Sequence, residues 1–201
     1  MHLNQLLRRF VSLATIFAFG LILTSCASAP KVFTNENPQA KFDSYKTYNY
    51  EAVLGTDEQK GYRSILSNHM IDAINIEMRS RGYALADNPN LIINFYVHTE
   101  EKIRTTTSPS MSGYYGYRSN RYGVYGGYDT QVTQYTEGTL NIDLVDNAAH
   151  ELAWEGVTVG RITNKVKKNL TAAVHSAVTV IFEDFPHYAP GFVPPTPPQG
   201  E

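Results

Sequence analysis

Apolar residues alternate with polar ones in several short stretches of the chain, which is the pattern of half-buried β-strands. Tyrosine and threonine alternate over residues 45–51, and every second residue from Leu91 to Val97 is apolar. A further alternation runs from Leu140 to Leu144, Asp146-Asn147 follows as a turn signal, and residues 152–157 return as the second strand of a hairpin. The pattern therefore predicts four strands.

Two other stretches repeat their apolar residues at helical spacing. The first is expected to start near a Thr56–Gln59 capping box and to end at Gly82, with His69 on its apolar stripe, which consists of Tyr62, Ile65, Leu66, Met70, Ala73, Ile74 and Met78. The second is capped by Thr163 or Asn164 and stopped by Pro186. Its stripe is Val166, Leu170, Ala173, Val174, Ala177, Val178, Ile181, Phe182 and Phe185.

The element order β-α-β-β-β-α predicts an α+β fold. Each helix has one apolar stripe, and one face of a sheet can bury both stripes. We therefore expect a mainly antiparallel sheet of about four strands with two helices on one face. Trp154 is expected in the core or at the sheet edge.

The first residues indicate export. Arg8 and Arg9 precede an apolar run from Phe10 to Leu23, which is too short to span a membrane as a helix. The following Leu23-Thr24-Ser25-Cys26 resembles the lipobox of bacterial lipoproteins. Two alternatives are ordinary cleavage after Ala27-Ser28-Ala29 and an uncleaved anchor.

The lipobox resemblance implies that residues 1–25 are a signal peptide. Cys26 would then carry a diacylglycerol group and an N-acyl chain such as palmitate, which together give stable anchoring. Ala27, in place of aspartate, favours the outer membrane of a Gram-negative bacterium, with the protein facing the periplasm. Residues 26–40 would form a tether, 41–186 the folded domain and 187–201 a proline-rich, extended tail.

Composition excludes several classes of function. The formal net charge is −2, so the chain has no basic excess for binding nucleic acid. One cysteine excludes a disulfide framework and a cysteine-rich zinc site. None of the six histidines has a partner at metal-ligand spacing, so we expect neither a metal nor a cofactor other than the lipid.

Residues 108–129 have a composition found nowhere else in the chain. Gly113 to Tyr128 holds six tyrosines and five glycines, and tyrosine rings can stack on sugars or proteins. We expect either an interaction element or only a flexible tip between two strands. The candidate contact residues are Tyr114, Tyr115, Tyr117, Tyr122, Tyr125 and Tyr128.

A second candidate surface is the polar face of the strand that starts at Leu91. Asn94, Tyr96 and His98 share this face, and His98 could approach Asn141 or Asp143 if the two strands pair. A His–Asp pair would suit general base catalysis. Because no nucleophile motif such as G-x-S-x-G accompanies it, we expect no catalytic residues and favour a solvated, non-catalytic face.

With these elements assigned, the chain resembles a bacterial lipoprotein family called domain of unknown function 4136. The resemblance covers about residues 42–186 and implies an α+β periplasmic domain with no established activity to transfer. It rests on Phe42 to Tyr50, Arg81-Gly82-Tyr83, Asn90 to Tyr96, Tyr135 to Asp146, Leu152, Trp154, Gly156 and Phe185-Pro186.

Two hypotheses for function remain. The first is a non-enzymatic, lipid-anchored envelope lipoprotein that binds or scaffolds an unidentified envelope protein or glycan. The alternative is a periplasmic enzyme acting on cell-wall glycan, with His98 and Asp143 at its centre. An enzyme needs a concave pocket where titratable groups converge, whereas a binding module can present a flat face.

Overall fold

The computed structural model of the protein describes residues 30–112 and 125–195. Within these two ranges, six strands form one sheet in the order β1-β6-β5-β4-β2-β3. The strands are β1 (Lys31–Glu36), β2 (Thr47–Tyr50), β3 (Ala84–Leu85), β4 (Leu91–Ser112), β5 (Tyr125–Asp146) and β6 (Glu151–Arg161). The helices are α1 (Ile65–Ser80), α2 (Asn164–Lys168) and α3 (Leu170–Glu183), and a short 3-10 helix spans Phe42–Ser44.

The structure confirms a mixed α+β fold whose sheet is mostly antiparallel. Strands β1, β6, β5 and β4 pair antiparallel in that order. Strand β2 pairs in parallel with β3 and with β4. The parallel pairs arise because α1 carries the chain back across the sheet between β2 and β4.

The expected count of about four strands is wrong, because β1 and β3 were not predicted. Strand β1 lies inside the expected tether, and its residues pair with Trp154 to Val159 of β6. Val32 and Thr34 of β1 are half-buried, which gives this strand a packed face as well as a hydrogen-bonded edge. The interpretation of residues 31–36 as tether is therefore incorrect.

Alternate residues of the central strands form the core together with both long helices. The buried sheet residues include Leu91, Ile93, Phe95, Leu140, Ile142, Leu144 and Trp154, and they share one cluster with Met70, Ile74, Met78, Val174, Val178, Ile181 and Phe182 of the helices. The alternation predicted for these strands therefore has its apolar side on the helices. Trp154 lies in the core.

Helix α1 begins later than the sequence pattern predicts. Ser64 caps it by accepting a hydrogen bond from the backbone N–H of Ser67. Tyr62 and Ile65 are consequently exposed, and the expected start at the Thr56–Gln59 box is wrong. Gly82, with φ of 83°, follows the helix in the left-handed conformation that the sequence predicts.

The final helical segment is divided by Asn169. Thr163 caps α2, and Asn169 caps α3 by accepting from the N–H of Ala172. Leu170 is 37% exposed, so this member of the predicted stripe does not reach the core. Helix α3 ends at Glu183, before the predicted stop at Pro186.

Strands β4 and β5 extend far beyond the rest of the sheet. Their pairing runs from Leu91–Asp146 to Ser112–Tyr125, whereas β6 pairs only with Glu137 to Asp146. Residues 101–112 and 125–136 therefore form a two-stranded ribbon, which includes a Thr107–Thr130 pair. The predicted loop at 108–129 is wrong at both ends, since strands cover 108–112 and 125–129.

The start of the proline-rich tail packs against the domain. The backbone N–H of Ala189 donates to the carbonyl of Arg81 at 2.9 Å, and Ala189 is buried. The side chain of Phe192 lies directly over Gly82. The prediction of an unpacked tail is therefore wrong for the start of the tail. Residues 196–201 lie outside the described residues.

A candidate binding face on the open side of the sheet

The sheet face opposite the helices presents three rows of side chains across four strands. Each row follows the register of β1, β6, β5 and β4 in that order. We call these twelve residues the open face. Row one is Lys31, Val159, Thr139 and His98; row two is Phe33, Val157, Asn141 and Tyr96; row three is Asn35, Glu155, Asp143 and Asn94.

Two aromatic side chains stand at the ends of row two. Phe33 is 57% exposed and Tyr96 is 43% exposed. They are three strands apart, or about 14 Å at the usual strand spacing. Val157 and Asn141 lie between them, so the row combines apolar surface with one amide.

Asn141 is the most buried residue of the open face, at 2% exposure. Its Nδ2 donates to the Tyr96 hydroxyl at 2.5 Å and to Asp143 Oδ1 at 3.0 Å. Its Oδ1 is buried and has no hydrogen-bond partner among the described residues. A buried acceptor without a donor costs about 1–3 kcal/mol, so this oxygen is an unsatisfied feature of the face.

Asp143 and Glu155 are cross-strand neighbours in row three. Burial raises the pKa of the Asp143 carboxyl, the negative charge of Glu155 raises it further, and the hydrogen bond from Asn141 opposes both. Glu155 Oε2 accepts from Asn35 Nδ2 at 3.0 Å. Within residues 30–112 and 125–195, neither carboxylate has a lysine, arginine or histidine within 4.0 Å.

Asn94, a predicted contact residue, has a structural role at the edge of the face. Its Oδ1 accepts from the backbone N–H of Gly55 at 2.9 Å and from that of Phe95 at 2.8 Å. The bond from Gly55 holds the segment after β2 against β4. Tyr96 and His98 are exposed on the same strand, as the alternation predicts.

The structure does not bring His98 and Asp143 together. His98 pairs with Thr139, whereas Asp143 pairs with Asn94, with the Tyr96–Asn141 pair between them. Four residues of strand separate the two positions, which is about 13 Å. His98 and Asp143 therefore do not form a general-base pair. The titratable side chain next to Asp143 on the neighbouring strand is that of Glu155.

The predicted tyrosine-rich site is described only in part. Tyr114, Tyr115, Tyr117 and Tyr122 lie outside the described residues, Tyr125 begins β5, and Tyr128 is 77% exposed on the ribbon. Ile103 and Val132 are exposed on the same ribbon face as Tyr128. The predicted lipidation site, Cys26, also lies outside the described residues.

Two clefts lie at the end of the sheet where β5 turns into β6. They have volumes of about 520 and 250 Å³ and share Asn37, Glu151 and Leu152. In the smaller cleft the Tyr45 hydroxyl donates to Asp146 Oδ2 at 2.5 Å, and this bond lowers the pKa of Asp146. Asp146 also accepts two backbone N–H bonds of the turn, which gives it a structural task.

The described residues hold no group of three or more histidine, cysteine, aspartate or glutamate side chains that could bind a metal ion. Among these same residues, no helix has the length and apolar character needed to cross a membrane.

Sequence reasoning identified Tyr96 and His98 but missed the β1 side of the open face. Phe33 and Asn35 fall in the segment interpreted as tether, between Pro30 and Pro38. The signal that could have found them is the run Lys31 to Thr34, in which three consecutive residues have high strand propensity.

The family model described as "Domain of unknown function (DUF4136)" matches residues 32–187. No curated protein matches the sequence. A PDZ domain protein from Parabacteroides distasonis shares the fold, with a TM-score of 0.51 and 12% identity. The alignment covers 87% of this chain, which spans only 40% of that protein.

Two structures of the PelC dodecamer from Paraburkholderia phytofirmans also align, both with a TM-score of 0.42, at 11% and 10% identity. Each alignment covers 76% of this chain and 94% of PelC.

Proposed function

The chain belongs to the family named domain of unknown function 4136, and from its sequence signals and its open face we propose that it is a non-enzymatic, lipid-anchored envelope lipoprotein that binds or scaffolds a periplasmic partner. The observation that supports binding is the arrangement of layers. Both long helices pack on one face of the sheet, and the opposite face carries exposed aromatic rings beside half-buried polar groups.

The proposed anchor is Cys26, acylated after removal of residues 1–25. Five residue steps separate Cys26 from the start of β1 at Lys31, which is at most about 18 Å of extended chain. An anchor there would keep the β1 edge of the open face near the inner surface of the outer membrane. The partner would then be a component that reaches this surface.

The anchor is tested by replacing Cys26 with serine and labelling cells with a palmitate analogue. Wild-type protein should incorporate the label, whereas the Cys26→Ser variant should remain an unlabelled, largely unprocessed precursor. Equal labelling of both proteins would contradict lipidation at this residue.

The binding role is tested by recovering envelope partners with a double variant, Phe33→Ser with Tyr96→Ser. Both changes remove exposed aromatic area outside the hydrophobic core, and Tyr96→Ser also removes the hydroxyl that accepts from Asn141, so the fold should persist with a modest loss of stability. Ile76→Ser is the matched control, since Ile76 is 56% exposed on the helix side. Loss of a specific partner with the double variant alone is the expected result, and retention of every partner would contradict it.

One observation favours the alternative of an enzyme acting on cell-wall glycan. Asp143 has a raised pKa and stands next to Glu155, and glycosidases use two neighbouring carboxyl groups, one of them kept protonated. Glu155 would replace His98 in this hypothesis. Release of reducing ends from purified cell wall, lost in both Asp143→Asn and Glu155→Gln variants, would favour the enzyme over the binding module.

A further inference from the structure

We propose that β4 pairs with β4 of a second copy of this chain, so that the ribbons of the two copies form a symmetric dimer. The pairing is antiparallel and centred on Lys102, and residues 97–107 of each copy lie along the same residues of the other. This inference concerns a surface other than the open face and does not depend on the proposed binding function.

The outer edge of β4 is the surface that would form the dimer. Strand β2 pairs only with Leu91 to Ile93, and the carbonyl of Phe95 accepts from the backbone N–H of Thr56 at 3.2 Å. Among the described residues, nothing pairs with this edge beyond Phe95. A two-stranded ribbon is marginally stable in water by itself, and an unpaired edge is a template for another strand.

This free edge has a defined beginning and end. Successive residues of a strand direct their backbone groups to alternate sides, and Ile93 and Phe95 direct their carbonyls outward. The odd-numbered residues of β4 therefore face the free edge, and the first of them beyond Phe95 is Val97. Pro109 is also odd-numbered and has no N–H to donate, so the usable edge ends at Thr107.

These bounds fit a second copy of the same strand. The stretch 97–107 is symmetric about Lys102, so antiparallel pairing centred there uses every outward-facing residue of the free edge. Each pair that faces inward exchanges two hydrogen bonds, which gives roughly twelve across the dimer. A different centre would leave some of these backbone groups unpaired or would place Pro109 in the ladder.

The charges along the edge match in the same register. Glu100 of one copy lies opposite Arg104 of the other, and the symmetry produces this pair twice. Lys102 lies opposite its own equivalent, but it already has an ion pair with Glu100 of its own chain at 2.7 Å. Each Glu100 would therefore lie between two cations, one from each copy.

Apolar side chains meet on the other face of the ribbon. Ile103 is 71% exposed, and Val132, which lies diagonal to it on β5, is 63% exposed. In the proposed register the two Ile103 side chains occupy diagonal positions on neighbouring strands, where long side chains are within reach of each other. The dimer would thus cover part of this apolar surface.

The free edge of β5 offers no comparable match. Strand β6 ends its pairing at Glu137, and over residues 126–134 the only charged side chain of β5 is that of Asp129. A symmetric pairing of this edge would therefore bring no opposite charges together. The charge pattern selects β4 as the strand that contacts the second copy.

The test uses single-cysteine variants of the full-length protein in a Cys26→Ser background, so that the new thiol is the only one. Lys102→Cys places the thiol opposite its equivalent, at a separation that a disulfide can bridge. Thr106→Cys is the control on the same edge, about 26 Å from its equivalent, and Thr130→Cys is the control on the other edge. After mild oxidation in neutral detergent, Lys102→Cys should give at least about tenfold more disulfide-linked dimer than either control.

Charge reversal tests the register in the Lys102→Cys protein. Glu100→Arg or Arg104→Glu alone places like charges opposite each other and should lower the dimer yield about fivefold. The two changes together restore opposite charges and should restore the yield, which a variant that fails to fold would not do. Equal yields from the three cysteine positions, a higher yield from Thr130→Cys, or no effect of either single charge reversal would overturn the proposal.

Discussion

Replacing Gly156 with alanine tests the packing of helix α3 on the sheet. Gly156 lies in β6 directly under the helix. A Cβ atom at this position would overlap Ile181 Cγ2 and Trp154 Cη2 and would lie 2.9 Å from Trp154 Cζ3. Ile181 and Trp154 are both almost fully buried, so neither can move aside without disturbing the core.

The expected cost follows from overpacking. An extra methyl group in a well-packed core costs about 1–3 kcal/mol, and here it meets two immobile side chains from two elements. We therefore expect the upper part of this range, about 2–3 kcal/mol. For a domain of this size the midpoint of thermal unfolding should fall by roughly 5–10 °C.

Gly160→Ala is the matched control on the same strand. A Cβ atom at Gly160 would meet only Pro30, at an ordinary contact distance of 3.8 Å. Thermal unfolding followed by circular dichroism should show Gly160→Ala within about 0.5 kcal/mol of wild type. Similar midpoints for the two variants would refute the close contact between α3 and β6.

Three further predictions address other parts of the molecule. Because hydrogen bonding from Tyr45 lowers the pKa of Asp146 in the folded state, Tyr45→Phe should have a smaller free energy of unfolding than wild type at pH 7. This difference should shrink as the pH falls below about 4, and a difference that is independent of pH would contradict the reasoning. Replacing 108–129 with Asn-Gly joins the paired threonines of the ribbon in a two-residue hairpin, so unfolding free energy should change by less than about 1 kcal/mol; a larger loss would show that this segment packs on the domain. Asp143→Asn should raise the thermal midpoint at pH 7, because it removes an ionised carboxyl disfavoured by burial and by Glu155, and a lower midpoint would mean that the charge stabilises the fold.

The parts of the fold that were predictable are those with one apolar face. The alternation in β4 and β5 and the stripe of α3 each bury one side, and Phe95, Ile142 and Val178 are completely buried. The spacing of apolar residues along the sequence reports this difference between the buried and the exposed side directly. The predicted hairpin of β5 and β6 is also present, with the turn after Asp146.

The strands that the sequence pattern did not predict lack this contrast between a buried and an exposed face. Both faces of the ribbon are exposed at Thr105 and Thr106, two successive residues that point to opposite sides, so this part of the strand leaves no apolar alternation in the sequence. Strand β3 has only two residues, which is below the length at which alternation can be recognised. Strand β1 is short, and its flanking prolines favour a tether.

The candidate site could be predicted on one strand only. The face of β4 that carries Tyr96 and His98 follows from alternation within a single segment. The neighbours of that face depend on strand order and register, which bring Glu155 beside Asp143 in row three and place Phe33 in row two with Tyr96. The contact between β1 and β6 joins segments more than 100 residues apart, and periodicity contains no information about such pairing.

The central claim is that the open face, and not the helix side, contacts a partner in the envelope. The most direct test places a photoreactive benzoylphenylalanine at Tyr96 in one strain and at Ile76 in another, two positions with similar exposure on opposite sides of the sheet. Irradiation of living cells should give a discrete cross-linked product from position 96 and none from position 76. Products from position 76 alone, or no product from position 96 under conditions where both proteins are folded and present, would contradict the account.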